Sequence, residues 1–364
     1  MKTIFNNIYK NKKVLITGHT GFKGSWLTLW LVNLGAKVTG YSLAPPTNPN
    51  LFDTLGIQNK INHIKGDVLD IANLTKIFNE TQPEIVFHLA AQSLVRLSYL
   101  EPKLTYETNI TGTINLLEAV RKTKSVKSVV IVTSDKCYEN KEWIYGYREN
   151  DAMGGFDPYS SSKGCVELIT NAYRNSFFNI NDFGKKHNVA IASARAGNVI
   201  GGGDWADDRL IPDCVKSISK NETIIIRNPK ATRPWQHVLE PLSGYLLLGE
   251  KLFTEGVKYS DSWNFGPTNE DVLEVENVVK KLIDIWGKGN YKVETDNKFH
   301  EANFLKLDIS KANFYLKWKP VFKANEAIAN TCEWYKNFYE DEKFDAYKFS
   351  LKQIDEYIKK SEIS

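Results

Sequence analysis

The chain has 364 residues, of which 42% are apolar and 12% aromatic, and its 47 basic and 43 acidic side chains leave a net charge of +4. This length accommodates one large domain, or a main domain with a smaller one, and the apolar fraction excludes a disordered chain. Basic residues are interleaved with acids, so no nucleic-acid partner is expected. No apolar run approaches the roughly 18 residues of a membrane span, and the N-terminus does not read as a secretion signal.

From residue 13 onward, short apolar runs alternate with amphipathic stretches. This alternation is typical of βαβ units and a parallel sheet, whose strands read as continuous apolar runs. The predicted strands are Val14–Thr17, Lys37–Tyr41, His63–Lys65, Glu84–Ala90, Ser128–Ser134 and Val189–Arg195. The predicted helices run through Trp26 to Leu34, over Thr105–Val120 and from about Ser160 to Lys186. The pattern predicts a Rossmann-type, doubly wound α/β fold.

After Gly203 the composition changes to short loops rich in Pro, Trp and mixed charges. We therefore predict a first domain over residues 1–200 and a smaller, mostly C-terminal α/β domain over residues 201–364, with some segments returning to the first. The last thirty residues are expected to form charged surface helices.

The cysteines indicate a reducing environment. Cys137, Cys165, Cys214 and Cys332 are widely spaced and contain no CxxC pair, which argues against a disulfide framework or a zinc site. A cytoplasmic location is the simplest expectation. The histidines show no metal-ligand spacing, so no metal is expected.

A glycine-rich loop follows the first predicted strand and opens the first helix. Its glycines have GxxGxxG spacing within Gly18-His19-Thr20-Gly21-Phe22-Lys23-Gly24. Such glycines permit a tight turn and the close approach of a pyrophosphate, which the N–H groups of the helix N-terminus stabilise. Because a strand precedes the loop and a helix follows it, a dinucleotide site is favoured over a purely structural turn.

The residues that would select the dinucleotide leave NAD and NADP both open. A dinucleotide fold usually has an acid at the end of the second strand to bind the adenosine ribose. The segment between Ser25 and Phe52 contains no Asp, Glu or Arg, and Ser42 occupies the approximate position. Asp67, after the third strand, is the candidate to meet the adenine; a helix N-cap is the alternative role.

Tyr159 and Lys163 lie four residues apart on one face of a predicted helix. A nearby ammonium favours the phenolate of a tyrosine, and a nicotinamide cation favours it further, so Tyr159 is expected to act as a base near neutral pH. Thr133 and Ser134 end the fifth predicted strand, where a hydroxyl can bind the same substrate oxygen.

These features together resemble the extended short-chain dehydrogenase/reductase family, in the branch acting on nucleotide sugars. The resemblance rests on the glycine loop, Leu89-Ala90-Ala91, Asn109 and the Tyr159/Lys163 pair. Further blocks, similar to the members that dehydrate CDP-glucose, extend it over almost the whole chain: GHTGFKGSWL, TSDKCYEN, PYSSSKGCVEL, ARAGNVIGGGDW, RLIPD, RPWQHVLEP and HEANFLKLD.

The resemblance implies bound NAD and an NAD-binding first domain that carries the catalytic residues, with nucleotide-sugar binding mainly in the second. The implied cofactor-binding residues are Gly18, Thr20, Gly21, Phe22, Lys23, Gly24, Ser42, Asp67, Val68, Leu89, Ala90, Ala91, Thr108, Thr133, Tyr159 and Lys163.

The reaction implied by the resemblance is the conversion of CDP-D-glucose to CDP-4-dehydro-6-deoxy-D-glucose and water. Tyr159, assisted by Lys163 and Ser134, would oxidise C4 together with NAD. Asp135 would protonate the C6 hydroxyl, and Lys136 would take the C5 proton. The related dTDP-glucose enzymes have Asp-Glu at this pair; an exposed ion pair between Asp135 and Lys136 is the alternative interpretation.

Substrate-binding residues are predicted from their position at the sheet edge and from the family resemblance. Gln92 follows the fourth strand, at the sheet edge where ligands of such folds bind. Asn198 and Arg233 match family positions that contact the substrate phosphates, and Arg209 and His300 are further candidates beside Ser134. A solvated surface charge is the alternative for each Arg.

Three other functions stay open at this point: a 4,6-dehydratase for dTDP-glucose or GDP-mannose, a nucleotide-sugar 4-epimerase, and a non-catalytic dinucleotide sensor. Relatives commonly pair through two long helices, here about 100–122 and 158–180, so the resemblance implies a dimer or tetramer built on a helix bundle. Leu168, Ile169 and Tyr173 would line that bundle or face the sheet. A 4-keto-6-deoxy product would fit deoxysugar synthesis for a polysaccharide.

Overall fold

The architecture is described from a computed structural model that covers residues 4–268, 272–294 and 305–362. Its strands, in chain order, are β1 (Lys13–Thr17), β2 (Lys37–Ser42), β3 (Asn62–Lys65), β4 (Ile85–His88), β5 (Ser128–Val132), β6 (Ala190–Ala196), β7 (Val199–Ile200), β8 (Ile224–Ile226), β9 (Thr232–Pro234), β10 (Gln236–His237), β11 (Ser262–Phe265), β12 (Val272–Glu274) and β13 (Tyr291–Val293).

The helices connect these strands and cover both faces of the main sheet. They are α1 (Phe22–Asn33), α2 (Leu51–Leu55), α3 (Ile71–Thr81), α4 (Val95–Leu100), α5 (Pro102–Tyr106), α6 (Gly112–Lys122), α7 (Pro158–Ser176), α8 (Leu210–Ser219), α9 (Leu239–Glu255), α10 (Val275–Trp286), α11 (Ala324–Glu340) and α12 (Ala346–Ser361). Among the described helices, none is both long enough and apolar enough to cross a membrane.

The main sheet has seven parallel strands in the order β11-β6-β5-β4-β1-β2-β3. The chain order reverses between β1 and β4, where Val14 pairs with Val38 on one side and Ile85 on the other. Ligands of doubly wound sheets bind at the carboxyl edge beside such a switch point. The six predicted strands and the doubly wound fold are confirmed, and β11 adds a seventh strand that the sequence reading did not predict.

Successive side chains of each strand point to opposite faces of the pleated sheet and pack into two apolar layers. Val14 and Ile16 of β1 pack with α1 and α9 in one cluster, whereas Leu15 packs with α3, α6 and α7 in the other. The strands are buried on both faces, which explains their continuous apolar runs.

Two predicted helices differ from the structure in ways that have physical causes. The helix expected to reach Lys186 ends at Ser176, because the Asn179 side chain caps a separate 3-10 turn by accepting from Asn181 N–H. The helix expected over Thr105–Val120 is present as α5 and α6, which a π-helical turn at Glu107–Thr111 joins without interruption. Single π turns of this kind are frequent at functional sites.

The C-terminal helices were expected to be charged surface helices; α12 has such an exposed charged face, and both α11 and α12 also have a buried face. Trp334, Tyr335 and Tyr357 are fully buried. The Trp334 indole donates to Ser350 Oγ at 2.9 Å, and Tyr357 donates to Glu240 at 2.7 Å. Aromatic residues at helical spacing gave these charged helices a buried face that their net composition concealed.

Segments after residue 200 form small two-stranded sheets and also return to the main sheet. Ser262 of β11 pairs with Ser193 of β6, and α9 packs beneath β5 and β6. The small sheets are β7/β10, β8/β13 and the antiparallel pair β9/β12.

Candidate active site

The glycine loop joins β1 to α1 at the carboxyl edge of the sheet. Gly18 adopts φ +77°, and a Cβ atom there would lie 2.6 Å from the backbone N of Ala90 at the end of β4. A Cβ on Gly24 would overlap the carbonyl oxygen of Gly18. Only glycine therefore allows the loop to close against both the β4 end and its own helix.

The start of α1 is open to an anion. Gly21 is its N-cap, and no side chain caps the first turn. Within 4 Å, a Cβ on Gly21 would meet only the Gly18 oxygen, at 3.5 Å, so the protein does not crowd this face of the loop. Lys23 lies in the same turn, and burial together with the Arg209 guanidinium lowers the pKa of its ammonium to about 8. The N–H groups of Phe22 and its neighbours thus suit the pyrophosphate of a dinucleotide.

The ends of β2 and β3 form the adjoining part of this edge. Thr20 Oγ1 and Ser42 Oγ are joined by a 2.7 Å hydrogen bond, so two hydroxyls lie where an acid is usual. Asp67 accepts from Leu69 N–H at 2.9 Å, whereas Asp70 caps α3 by accepting from Asn73 N–H. The alternative role of Asp67 as the helix N-cap is therefore wrong.

Val68 is buried against α6. A Cβ on Gly112 would lie 2.7 Å from a methyl group of Val68, which shows how closely the β3 end approaches that helix.

The segment after β4 is held by Asn109, from the π-helical turn that also contains Thr108. Asn109 accepts from Gln92 N–H at 2.8 Å and donates to the Gln92 carbonyl at 3.0 Å and to Ser162 Oγ at 2.8 Å. The Gln92 side chain donates to Leu94 O and Thr105 Oγ1 and accepts from Leu94 N–H. The Gln92 amide is thus engaged with its own loop, which it shapes after Leu89, Ala90 and Ala91.

The catalytic pair is positioned by the start of α7. Asp157 is the N-cap, accepting from Ser160 N–H at 2.9 Å, and Pro158 occupies the first helical position. Helix geometry then places Tyr159 and Lys163 on one face. Lys163 Nζ reaches the Val132 carbonyl at 3.5 Å, at the end of β5.

The β5 end continues into a short 3-10 turn that presents three of the expected residues. Ser134 caps this turn by accepting from Lys136 N–H at 3.2 Å, and its hydroxyl donates to Asp135 Oδ1 at 3.0 Å. Asp135 is only 5% exposed and Lys136 is half-buried, so the alternative of an ordinary exposed ion pair is wrong. Burial raises the pKa of Asp135, although Lys136 and Lys23 oppose the shift.

Burial also governs the charge states of the Tyr and Lys pair. It raises the pKa of Tyr159 to about 12 despite a hydrogen bond with Ser134, and it lowers the pKa of Lys163 to about 8. The expectation of a phenolate near neutral pH is therefore not met by the protein's own groups. Arg209, among the charged neighbours of Tyr159, lowers its pKa.

The segment after β6 approaches Asp135 directly. A Cβ on Gly197 would lie 2.7 Å from Asp135 Oδ2, so the backbone that carries Asn198 passes beside the acid. Arg209 is bound to Asp204 at 2.7 Å and donates to Ser93 Oγ at 3.4 Å. Electrostatic coupling links Lys23 with Asp135, Lys163 and Arg209, which indicates that these groups converge.

Two further substrate candidates come from the chain after residue 200. Arg233 is a half-buried residue of β9 whose guanidinium donates to the Thr232 carbonyl at 2.9 Å. His300 lies outside the described residues.

Sequence reasoning missed a buried ion pair behind the catalytic helix. Glu167 and Arg195 contact each other at 2.8 Å, and each side chain is 3% exposed. An arginine inside an apolar strand was the available signal, because such a charge requires a buried partner. Glu167 lies one helical turn beyond Lys163, on the same face.

The chain resembles known proteins over most of its length. The model of a family described as GDP-mannose 4,6 dehydratase matches residues 15–331. The chain is 51% identical over 356 residues, 98% of both chains, to a protein named CDP-glucose 4,6-dehydratase from Salmonella typhimurium. It is 27% identical to a dTDP-glucose 4,6-dehydratase of the same organism, covering 89% of this chain and 92% of the relative.

Solved structures show the same fold. A dTDP-glucose 4,6-dehydratase from Streptomyces venezuelae with NAD bound matches with a TM-score of 0.76 at 22% identity, covering 89% of this chain and 97% of that one. A UDP-glucose 4-epimerase from Thermotoga maritima matches with the same TM-score and identity over 90% of this chain and all of the other.

Proposed function

The chain belongs to the family described as GDP-mannose 4,6 dehydratase, within the extended short-chain dehydrogenase/reductases, and from this premise we propose that it converts CDP-D-glucose to CDP-4-dehydro-6-deoxy-D-glucose and water. It is an NAD-dependent hydro-lyase of nucleotide sugars. The nucleotide is assigned as CDP from the full-length relative, since that protein is named for CDP-glucose and the dTDP-glucose relatives are far less similar.

NAD fits the described edge of the sheet. The open N-terminus of α1, with no side-chain cap, would hold the pyrophosphate, and Thr20, Ser42 and Asp67 border the side where the adenosine would lie. When bound, NAD supplies a hydride acceptor for C4 and later a hydride donor for C6. The residues of the chain do the rest: they orient the sugar and move its protons.

Tyr159 is the group that takes the proton of the C4 hydroxyl. Its hydrogen bond with Ser134 lowers its pKa and brings the two hydroxyls next to each other. Lys163, held beneath the β5 end at 3.5 Å from the Val132 carbonyl, places an ammonium beside the helix face that Tyr159 shares. A positive charge there stabilises the tyrosine oxygen as it loses its proton.

Asp135 gives its proton to the C6 hydroxyl as that group leaves. A general acid must hold its proton until then, and burial, which raises the pKa of this carboxyl, favours the protonated form. Lys136, next along the same turn, is the group we assign to the C5 proton, which the C4 ketone makes acidic; it would accept this proton as the neutral amine. An epimerase has no need of this second pair of groups.

The observation that carries the proposal is the burial of an acid at the same strand end as the oxidising pair. Asp135 follows Ser134 directly and lies within the electrostatic range of Tyr159. The test is incubation with CDP-glucose, followed by the absorbance of the base-treated 4-keto product. Parallel reactions with dTDP-glucose and GDP-mannose test the nucleotide, and no product with any of them would favour a dinucleotide sensor.

Substrate binding would use the region where Lys23, Asn198 and Arg209 approach the catalytic groups. A diphosphate requires donors and positive charge, and the Arg209 guanidinium already lies close enough to perturb Tyr159. Arg233 and His300 stay candidates that the second domain would contribute.

A homo-oligomer would form through the outer faces of α4, α5 and α7. Leu100, Leu104 and Leu168 are 75%, 44% and 59% exposed there. Ile169 and Tyr173, by contrast, pack against the core. Leucines this exposed on adjoining helices favour a dimer that buries them. All four cysteines are free, which supports a reducing cytoplasm.

A further inference from the structure

Behind the catalytic helix lies a polar cluster that the reaction scheme does not use. Glu167 Oε1 accepts from Thr133 Oγ1 at 2.5 Å. Its other oxygen, Oε2, accepts from Ser193 Oγ at 2.6 Å, from Arg195 at 2.8 Å and from Ser262 Oγ at 3.3 Å. One carboxylate therefore joins α7 to β5, β6 and β11.

The contact with Thr133 is the one nearest to the chemistry. Thr133 follows Val132, whose carbonyl receives Lys163 Nζ, and precedes Ser134 and the acid. Thr133 N–H donates to the Ala194 carbonyl at 2.9 Å, so the strand end has one backbone bond and one side-chain bond to fix it. Without the side-chain bond, the turn that presents Ser134 could rotate away from α7.

The charge of Glu167 acts on Lys163 as well. Glu167 is one turn further along α7, and its carboxylate favours the ammonium, opposing the burial that lowers the pKa of Lys163 to about 8. Three other titratable groups face Lys163: Cys137, whose pKa is raised by burial, His88, whose pKa is lowered by burial to about 3, and Lys23. Cys137 and His88 are neutral near neutral pH, so Glu167 is the negative charge among these four.

We propose that Glu167 is a positioning residue for the dehydratase reaction, holding the β5 end through Thr133. This inference rests on the proposed function for its kinetic tests. Arg195 completes the unit: its guanidinium balances Glu167, donates to Tyr138 Oη at 2.6 Å and stacks on the Tyr138 ring at 4.9 Å.

The first test compares two hydroxyl deletions on the same carboxylate. Thr133→Val removes the donor to Oε1, and Ser193→Ala removes a donor to Oε2 on a strand away from the reacting residues. Thr133→Val is expected to lower kcat about tenfold with little change in KM, because a hydrogen bond to a charged group is lost. Ser193→Ala should change kcat less than about twofold. Equal losses in the two variants would overturn the positioning role of the Thr133 contact.

The second test changes the carboxylate itself and measures NADH formation in a single turnover. Glu167→Gln keeps the length of the side chain but replaces the charged acceptor of the Thr133 hydrogen bond by a neutral amide, so the rate should fall, as in Thr133→Val. A parental rate of NADH formation in Glu167→Gln would refute the positioning role.

A third measurement needs neither substrate nor cofactor. Hydrogen exchange of the amides over residues 132–136 reports how well the β5 end is held. Exchange should accelerate in Thr133→Val and stay parental in Ser193→Ala. If Glu167→Gln fails to fold because the buried Arg195 loses the Glu167 carboxylate, this pair of variants still decides the inference. Parental exchange in Thr133→Val would contradict it, even if CDP-glucose proved not to be the substrate.

Discussion

Replacing Asp135 by Asn should separate the oxidation at C4 from the loss of the C6 hydroxyl. The change preserves the shape of the side chain and an oxygen that can accept from Ser134, which donates to Asp135 Oδ1 at 3.0 Å. It removes the proton that the leaving hydroxyl needs. Because Tyr159 and Lys163 are unchanged, NADH absorbance is still expected to appear when substrate is added, whereas formation of the 4-keto-6-deoxy product should slow.

The general-acid role of Asp135 sets the expected loss in the rate of product formation. A positioned general acid contributes about 10²–10⁴-fold, or roughly 3–5 kcal/mol in the activation barrier. The pH dependence has a definite sign: the donor is the protonated carboxyl, so parental water loss falls as pH rises through the raised pKa of Asp135. In Asp135→Asn this fall should disappear, because the amide does not titrate.

Rapid mixing with CDP-glucose measures both steps, through NADH absorbance for the oxidation and quenched samples for the product. Asp345→Asn serves as the control, because Asp345 caps α12 through Lys348 N–H and Asn is an equally good N-cap. Product formation at the parental rate in Asp135→Asn would refute the general-acid assignment. Loss of NADH formation together with product would instead assign Asp135 to the first step.

Three shorter predictions address other parts of the site. Tyr159→Phe should abolish NADH formation, measured by absorbance with folding checked by circular dichroism; normal turnover would remove Tyr159 from the mechanism. Gly197→Ala places a methyl group 2.7 Å from Asp135 Oδ2 and should slow product formation more than NADH formation; equal slowing would show a general distortion. Leu168→Glu should convert the proposed oligomer to monomer by light scattering, while Phe314→Glu, at a similarly exposed residue, should not.

The sheet was predictable from the sequence because burial on both faces leaves each strand as a continuous apolar run. β1 and β4 differ from their predicted bounds by only a few residues. The boundary of α7 was not predictable in the same way, since Asn179 stops the helix by a local side-chain bond that competes with helical ones. β11 was missed because Ser262–Phe265 mixes polar and aromatic residues, and its pairing with β6 is a long-range contact.

The residues of the site also differ in whether the sequence alone predicts them. Tyr159, Lys163 and Ser134 have signatures in sequence because their relation is local or at a strand end. Glu167 has none, because its partners come from three strands that only the folded sheet brings together. The Gln92 side chain also illustrates the limit: position placed it at the ligand edge, and only the fold shows that its amide is engaged by its own loop.

Burial raises the pKa of both acids of the site, Asp135 and Tyr159, and takes that of Tyr159 to about 12. The reaction needs Asp135 to keep its proton and Tyr159 to lose its own. Retaining its proton suits Asp135, which must deliver it to the leaving hydroxyl. Tyr159 must lose its proton, so near neutral pH it cannot wait as a phenolate; its proton has to leave while it accepts the one from the C4 hydroxyl, or because positive charge arrives beside it. Arg209 is a positive group close enough to Tyr159 to lower its pKa, so its guanidinium bears on the first proton transfer.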